Sequence, residues 1–203
     1  MNTELKTLNQ EVQEIWNQNA EWWDEQIGSE GNNFHRTLIV PATERLLALQ
    51  KDELVLDIAC GNGQFSRRMA QLGAQVVALD FSEKFIGRAK ARSTGYTDRI
   101  TYRVIDATDT DQLMTLGKRR FDAAVCTMAL MDIATIEPLA STLSQVLKAG
   151  GRFVFSLMHP CFNSTGCKAV VEKEERDGEL IITHSINNTF AKSKTVTATC
   201  RML

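Results

Sequence analysis

Three aspartates and two glycines carry the chemistry that this 203-residue chain makes legible. Asp57, Asp80 and Asp106 each stand at or near the end of a strand-like run: Leu54-Val55-Leu56-Asp57-Ile58, Gln75-Val76-Val77-Ala78-Leu79-Asp80, and Ile100 to Ile105 with Asp106 behind it. The first run leads into Ala59-Cys60-Gly61-Asn62-Gly63-Gln64-Phe65. Glycines at a strand-to-helix turn admit positive φ and let backbone approach a ligand with no Cβ in the way. The helix start beyond them offers free N–H groups. A Gly-x-Gly pair by itself is also an ordinary structural turn, so the surrounding residues decide what it would hold. No Gly-Lys-Ser/Thr follows, which excludes a phosphate-gripping P-loop. Ser66 stands where a dinucleotide fingerprint puts its third glycine or alanine, and this counts against NAD. Asp57 would repel a pyrophosphate but can accept from loop N–H groups or from a ligand's ammonium. Asp80 follows Gly63 by 17 residues, where an acid can accept both hydroxyls of a ribose. One acid at a strand end is commonly a helix cap or loop anchor. Three of them behind a glycine turn point to a nucleoside ligand, held in the crevice beyond the carboxyl ends of the strands.

Such a crevice needs a parallel sheet, and the chain reads as one. Strands are predicted at 54–58, 75–80, 100–105, 121–126 and 152–158, with helices between them at about 64–72, 82–92, 109–116 and from Thr135 to Gly150-Gly151. Continuously apolar strands alternating with helices are the signature of a sheet covered on both faces. Ser82 and Thr135 read as N-caps, and Pro138 fits a first helical turn, where its missing N–H costs little. Ile136, Leu139, Leu143, Val146 and Leu147 form the apolar stripe of that last helix. Before the sheet, Leu5, Leu8, Val12, Ile15 and Trp16 fall at helical steps, and a second helical stretch runs from about Phe34 to Leu49. After it, Arg176-Asp177-Gly178 lies between two strand-like runs, a hairpin signal. The expected fold is α/β: a Rossmann-like, mostly parallel sheet with helices on both faces and an antiparallel C-terminal hairpin. Its expected parts are a helical cap at 1–50, the ligand-binding core at 51–162 and an antiparallel tail at 163–203.

Composition bounds the partners. The formal charge is −2, from 23 Lys+Arg and 25 Asp+Glu, without the basic surplus that a phosphate-backbone partner usually demands. No run approaches the ~18–20 apolar residues of a membrane span, and Met1–Gln10 has neither basic n-region nor apolar h-region. Five cysteines (Cys60, Cys126, Cys161, Cys167 and Cys200) without CxxC spacing argue against a disulfide framework or zinc site and for free thiols in a reducing cytoplasm.

Taken together, these residues resemble class I S-adenosylmethionine-dependent methyltransferases. Asp57-Ile58-Ala59-Cys60-Gly61-Asn62-Gly63 is similar to the family's acid-x-x-x-Gly-x-Gly motif, Asp80 to its ribose-binding acid and Asp106-Ala107 to its adenine-contacting segment. Phe121 to Cys126 and Leu147 to Phe153 resemble the fourth strand and the turn into the fifth. The likeness runs from about Trp16 to Phe162 and looks closest to the small-molecule, ubiquinone- and menaquinone-methyltransferase-like group. The resemblance implies S-adenosylmethionine as cofactor and methyl transfer to a small molecule by in-line displacement. It implies that Gly61 and Gly63 let the backbone pass the methionine part, with Ala59 and Asn62 in the same loop. Asp57 would hold that loop and the amino group, and Asp80 the ribose. Phe81 would lie against adenine, Asp106 would accept from its amine, and Ala107 would add a backbone contact. Thr127 and Met128 would face the methyl end.

The acceptor side is less defined. His159, after the fifth strand, is a candidate base, although a lone histidine is more often a packing residue. Asp132 could face the crevice or belong to a turn. Trp16, Trp22 and Trp23 could line a lid over the site or anchor a docking helix. The tail is shorter than the helix and strand pairs the family usually adds, which leaves a fifth-strand edge free to pair with a second copy. A cofactor-binding but inactive relative and a methyltransferase acting on a macromolecule are the competing readings. A nucleic-acid substrate is disfavoured by the charge balance and by Cys126-Thr127-Met128-Ala129 in place of an Asn/Asp-Pro-Pro-aromatic motif.

Overall fold

A computed structural model of the chain describes residues 3–158 and, as backbone alone, three later strands at 167–176, 179–188 and 196–201. Five parallel strands make the central sheet: β1 (Leu54–Ile58), β2 (Gln75–Asp80), β3 (Ile100–Val104), β4 (Phe121–Thr127) and β5 (Leu147–Ser156), in the order β3-β2-β1-β4-β5. The chain builds outward from β1 on one side through β2 and β3, then crosses to the other side for β4 and β5. The switch at β1/β4 opens the crevice in which such sheets hold ligands.

Alternation along the strands divides the core into two layers. Leu56, Ile58, Val77, Leu79 and Ala124 face one way and pack with Leu113, Leu139, Leu143 and Val146. These last come from α5 (Thr110–Met114) and α6 (Glu137–Val146). Val55, Val76, Ala78, Ala123 and Val125 face the other way against Phe65, Met69 and Ala70 of α3 (Gln64–Gln71) and Leu47 of α2 (Val40–Leu47). Two-sided burial is why the strands read as unbroken apolar runs. The long helix α1 (Thr3–Ile27), a π-helical turn (His35–Ile39) and α4 (Glu83–Arg92) complete this unit. A second unit is a three-stranded antiparallel sheet of β6 (Cys167–Arg176), β7 (Glu179–Asn188) and β8 (Val196–Arg201) in sequence order. The expected Asp177-Gly178 turn lies outside the described residues.

Local chemistry explains most boundaries. Ser82 caps α4, its Oγ accepting from the Phe85 N–H at 3.2 Å, and Asp109 caps α5 through the Asp111 and Gln112 N–H groups. Four expectations are corrected. Thr135 caps nothing: α6 begins at Glu137 behind Ile136, with no side-chain cap, and Pro138 alone marks the start. Ile136 is exposed and leaves the apolar stripe. Gly150-Gly151 does not end α6, because β5 starts at Leu147. Its register jumps from Phe121↔Leu147 to Ala123↔Arg152, so the glycines lie in an irregularity inside the strand.

The fourth correction concerns α1. The apolar positions Leu8 and Ile15 are 44% and 54% exposed. The buried face instead carries Asn9, Ala20, Asp24 and Ile27. Asn9, Gln13 and Asn17 recur at four-residue steps and dock by hydrogen bonds: Asn9 Nδ2 donates to Asp106 Oδ2 at 2.6 Å. Gln13 Nε2 donates to the Phe81 carbonyl at 2.7 Å, and Asn17 Oδ1 accepts from Ser82 Oγ at 2.6 Å. Polar groups won the inward face because the surface beneath them is made of strand ends and helix starts, whose polar groups need partners.

Gly63, at φ 74°, is explained by packing: a Cβ there would run into the Tyr102 hydroxyl. Gly63→Ala should therefore lower stability by about 2 kcal/mol or more, from left-handed strain plus overpacking. The urea midpoint measures this, and an unchanged midpoint would contradict the packing.

Candidate functional site

The turn between β1 and α3 alternates into left-handed backbone: Ala59 has φ 53°, Gly61 54° and Gly63 74°. A further left-handed residue, Met128 at φ 55°, follows β4. Ala59 and Met128 are strained non-glycine positions, and both line one cavity at the carboxyl ends of the strands.

That cavity gathers most of the expected ligand residues. Ala59, Gly61, Asn62, Asp80, Phe81, Asp106, Ala107, Thr127 and Met128 line it, together with Trp16, Trp23, Ile27, His35 and Asp132. Asp57 and Gly63 do not. Gly63 makes room for Tyr102, and Asp57 lies behind the turn, 1% exposed. Trp22 is exposed on α1. His159 lies outside the described residues, as do Cys161 and the side chain of His184. Among the described residues, no group of His, Cys, Asp and Glu could hold a metal ion, and no helix is long and apolar enough to cross a membrane.

The carboxylates are held firmly. Asp80 Oδ2 accepts from the Gly61 N–H and Oδ1 from the Ser82 N–H, each at 2.9 Å. An ionised carboxylate has about four lone-pair sites, so two remain on Asp80. Asp106 Oδ1 accepts from the Thr108 N–H and hydroxyl, each at 2.8 Å, and Oδ2 from Asn9, which leaves one. Asp57 Oδ2 accepts from the Ser66 hydroxyl. Its Oδ1 is buried and has no hydrogen-bond partner among the described residues. Burial pushes the Asp57 carboxyl up to about 7; the Ser66 hydrogen bond opposes this and the Asp80 charge adds to it. Burial likewise pushes Asp80 up to about 6, against the pull of the Ser82 and Gly61 N–H groups. Two acids kept dry in this way form a site that a cation would stabilise.

The Asn62 side chain is spent inside the protein. Its Nδ2 donates to Asp24 Oδ1 at 2.9 Å and to the Gly28 carbonyl at 3.0 Å. Asp24 also receives Arg92 at 2.6 Å and Arg88 at 3.0 Å. Burial raises the Asp24 carboxyl, but hydrogen bonds from Arg92, Asn62 and Arg88 outweigh it and hold it below the ordinary value. This hub fixes the glycine turn against α1 and α4. Trp16 stands edge-on to Trp23 at 5.8 Å and 6.1 Å from Phe85, forming an aromatic wall.

Sequence reasoning missed Asn9, Asp24 and His35 as parts of this site. The signal for the first was the polar 9-13-17 stripe, which resembles a solvated face until its partners are known. His35 carries none, standing outside any motif.

Residues 56–155 match a protein family described as methyltransferase domain. The chain is 36% identical over 113 residues to a demethylmenaquinone methyltransferase of Clavibacter sepedonicus, covering 56% of this chain and 44% of that one. It is 28% identical over 140 residues to a ubiquinone biosynthesis O-methyltransferase of Bordetella avium, covering 69% and 57%. Among solved structures, an S-adenosylmethionine-dependent methyltransferase from Mesorhizobium loti is similar at 32% identity and TM-score 0.57, over 64% of this chain and 58% of that one. The chain spans about half the length of the curated relatives it matches.

The acid pair sets a pH dependence. Asp57 and Asp80 hold protons more tightly folded than unfolded, so the native state carries the excess between 3.8 and about 7. Stability therefore falls as pH rises through that window. His35, whose pKa burial lowers, works the opposite way near its upper end. Denaturant titration of the ligand-free protein should show a loss on the order of a few kcal/mol between about pH 5 and 8. Asp57→Asn should flatten the loss, and a slope unchanged in that variant would contradict the assignment.

Proposed function

We propose that this chain, whose residues 56–155 are a domain of the S-adenosylmethionine-dependent methyltransferase family, binds that cofactor in the cavity and transfers its methyl group to a small-molecule acceptor. The observation that carries the reading is the match between free acceptor sites and the groups to be held. Asp80 keeps two lone-pair sites for a ribose diol and Asp106 one for an exocyclic amine. Gly61 meets nothing within 4 Å at its Cβ position, so backbone is open to the ligand there. The partnerless Asp57 Oδ1 behind the turn fits the need for negative charge near an ammonium and a sulfonium.

When bound, the cofactor supplies a methyl carbon already activated by its positive sulfur. The protein's task is then alignment and exclusion of water. Asp80 and Asp106 fix the nucleoside end. Phe81 and Ala107 flank it, and the left-handed Met128 brings backbone to the opposite wall. Trp16, Trp23, Ile27 and Ile133 keep the remaining space apolar. Relatives named for demethylmenaquinone and for ubiquinone biosynthesis make a quinone-like ring the acceptor class we infer, and the aromatic wall suits it. Two free thiols, Cys60 and Cys126, accord with a reducing compartment, which we take to be the cytoplasm.

Charged hydrogen bonds contribute about 1.5–3 kcal/mol each. Asp80→Ala should thus weaken S-adenosylhomocysteine by about ten- to a hundredfold or more, read by calorimetry. Undiminished affinity in that variant, or no heat with the wild type, would overturn the reading.

A further inference from the structure

We propose that His35 is the general base of this site and that the acceptor presents it with a phenolic hydroxyl. The inference rests on the cofactor reading above and adds the acceptor's reacting group and the destination of its proton.

The imidazole's protonation pattern follows from two hydrogen bonds. Asn32 Oδ1 accepts from the His35 backbone N–H at 3.0 Å. A backbone N–H can only donate, so the Asn32 amide must present oxygen at that point. The same Oδ1 lies 2.8 Å from His35 Nδ1. An amide oxygen can only accept, so Nδ1 carries the proton and the neutral ring has its lone pair on Nε2. Among the described residues Nε2 has no hydrogen-bond partner. His35 is half-buried and lines the cavity. It opens a π-helical turn, a rare geometry often found at functional sites. Burial pushes its pKa below the ordinary value, so it is neutral and able to accept at pH 7.

The other titratable groups facing the cavity are one thiol and three carboxyls. From the turn after β1, Cys60 has its thiol pushed well up by burial and by Asp80 and Asp57. Asp80, at the end of β2, and Asp106, after β3, already accept from several donors and turn their remaining lone pairs to the nucleoside end of the cofactor. Asp132, after β4, is raised by burial and is the competing base that the test separates from His35. α1 brings no titratable side chain to the cavity: its lining residues are Asn9, Trp16, Trp23 and Ile27.

A base of this strength selects its acceptor. A phenol, with a pKa near 10 like tyrosine's, yields its proton to imidazole more readily than an aliphatic alcohol does. The aromatic and aliphatic wall fits a flat ring. In the step, a lone pair of the phenol oxygen forms the new bond to the methyl carbon. The methyl–sulfur bond breaks with its electron pair going to sulfur, which becomes a neutral thioether. The O–H proton passes to Nε2. The products are an aryl methyl ether, S-adenosylhomocysteine and a His35 imidazolium, which burial drives to release its proton to water. Asn32 is the positioning residue that fixes the tautomer.

The test needs no turnover. The full chain is saturated with S-adenosylhomocysteine and titrated with 4-nitrocatechol below that probe's own pKa, following the visible absorbance of the phenolate. The wild type should show a saturable phenolate signal. His35→Gln should lose it at least tenfold while S-adenosylhomocysteine still binds with wild-type affinity. Asn32→Ala should weaken it less, and Asp132→Asn should leave it. A signal that survives His35→Gln, disappears with Asp132→Asn or is absent from the loaded wild type overturns the assignment. If His35→Gln instead loses S-adenosylhomocysteine, His35 holds the cofactor and the base role falls. Failure of the wild type to bind S-adenosylhomocysteine overturns the cofactor reading itself.

Discussion

Two carboxyls buried on neighbouring strands constrain everything around them. Asp57 and Asp80 sit near the ends of β1 and β2, 1% and 4% exposed, where water cannot offset their charge. Carboxylates in such a place need donors, and the local structure is organised to give them: the Gly61 and Ser82 N–H groups for Asp80 and the Ser66 hydroxyl for Asp57. Parallel strands bring the two acids side by side because the register sets Asp57 opposite Ala78, two residues before Asp80. The arrangement leaves the free protein with more negative charge than it can comfortably solvate. A cationic ligand relieves that burden, so electrostatic cost in one state becomes attraction in the other.

The covering helix obeys the same logic. α1 closes over strand ends, where carbonyls, amides and carboxylates are abundant and apolar surface is scarce. It meets them with Asn9, Gln13, Asn17 and Asp24 rather than with its leucines. The aromatic pair Trp16 and Trp23 sits between these polar contacts and supplies the apolar roof of the cavity.

The central sheet was legible because its physics is local. β1 and β2 are unbroken apolar runs between turn residues, and their boundaries follow from that alone. The positions of the acids were legible for the same reason: three of them close successive strands behind one glycine turn. What escaped depended on contacts remote in sequence. Leu8 and Ile15 obey helical spacing, yet the side of α1 that is buried depends on Phe81, Ser82 and Asp106, some 70 to 100 positions away. Thr135 has the right chemistry for a cap, but the helix starts too late for it. Gly150-Gly151 looked like a terminator because a break within a strand has no signature apart from its partner. His35 gains meaning only from Asn32 and from the cavity beside it.

The fastening of α1 is uneven along its length. Near its C-terminal end Asp24 is gripped by two arginines and an amide, hydrogen bonds assisted by full charge and roughly twice as strong as neutral ones. Toward its N-terminal end Asn9, Gln13 and Asn17 make contacts without an ion pair. The first half of α1 is therefore docked by amide side chains and the second half by ion pairs. The cover beside Asp106 thus rests on side-chain amides, and the cover beside the glycine turn on charge.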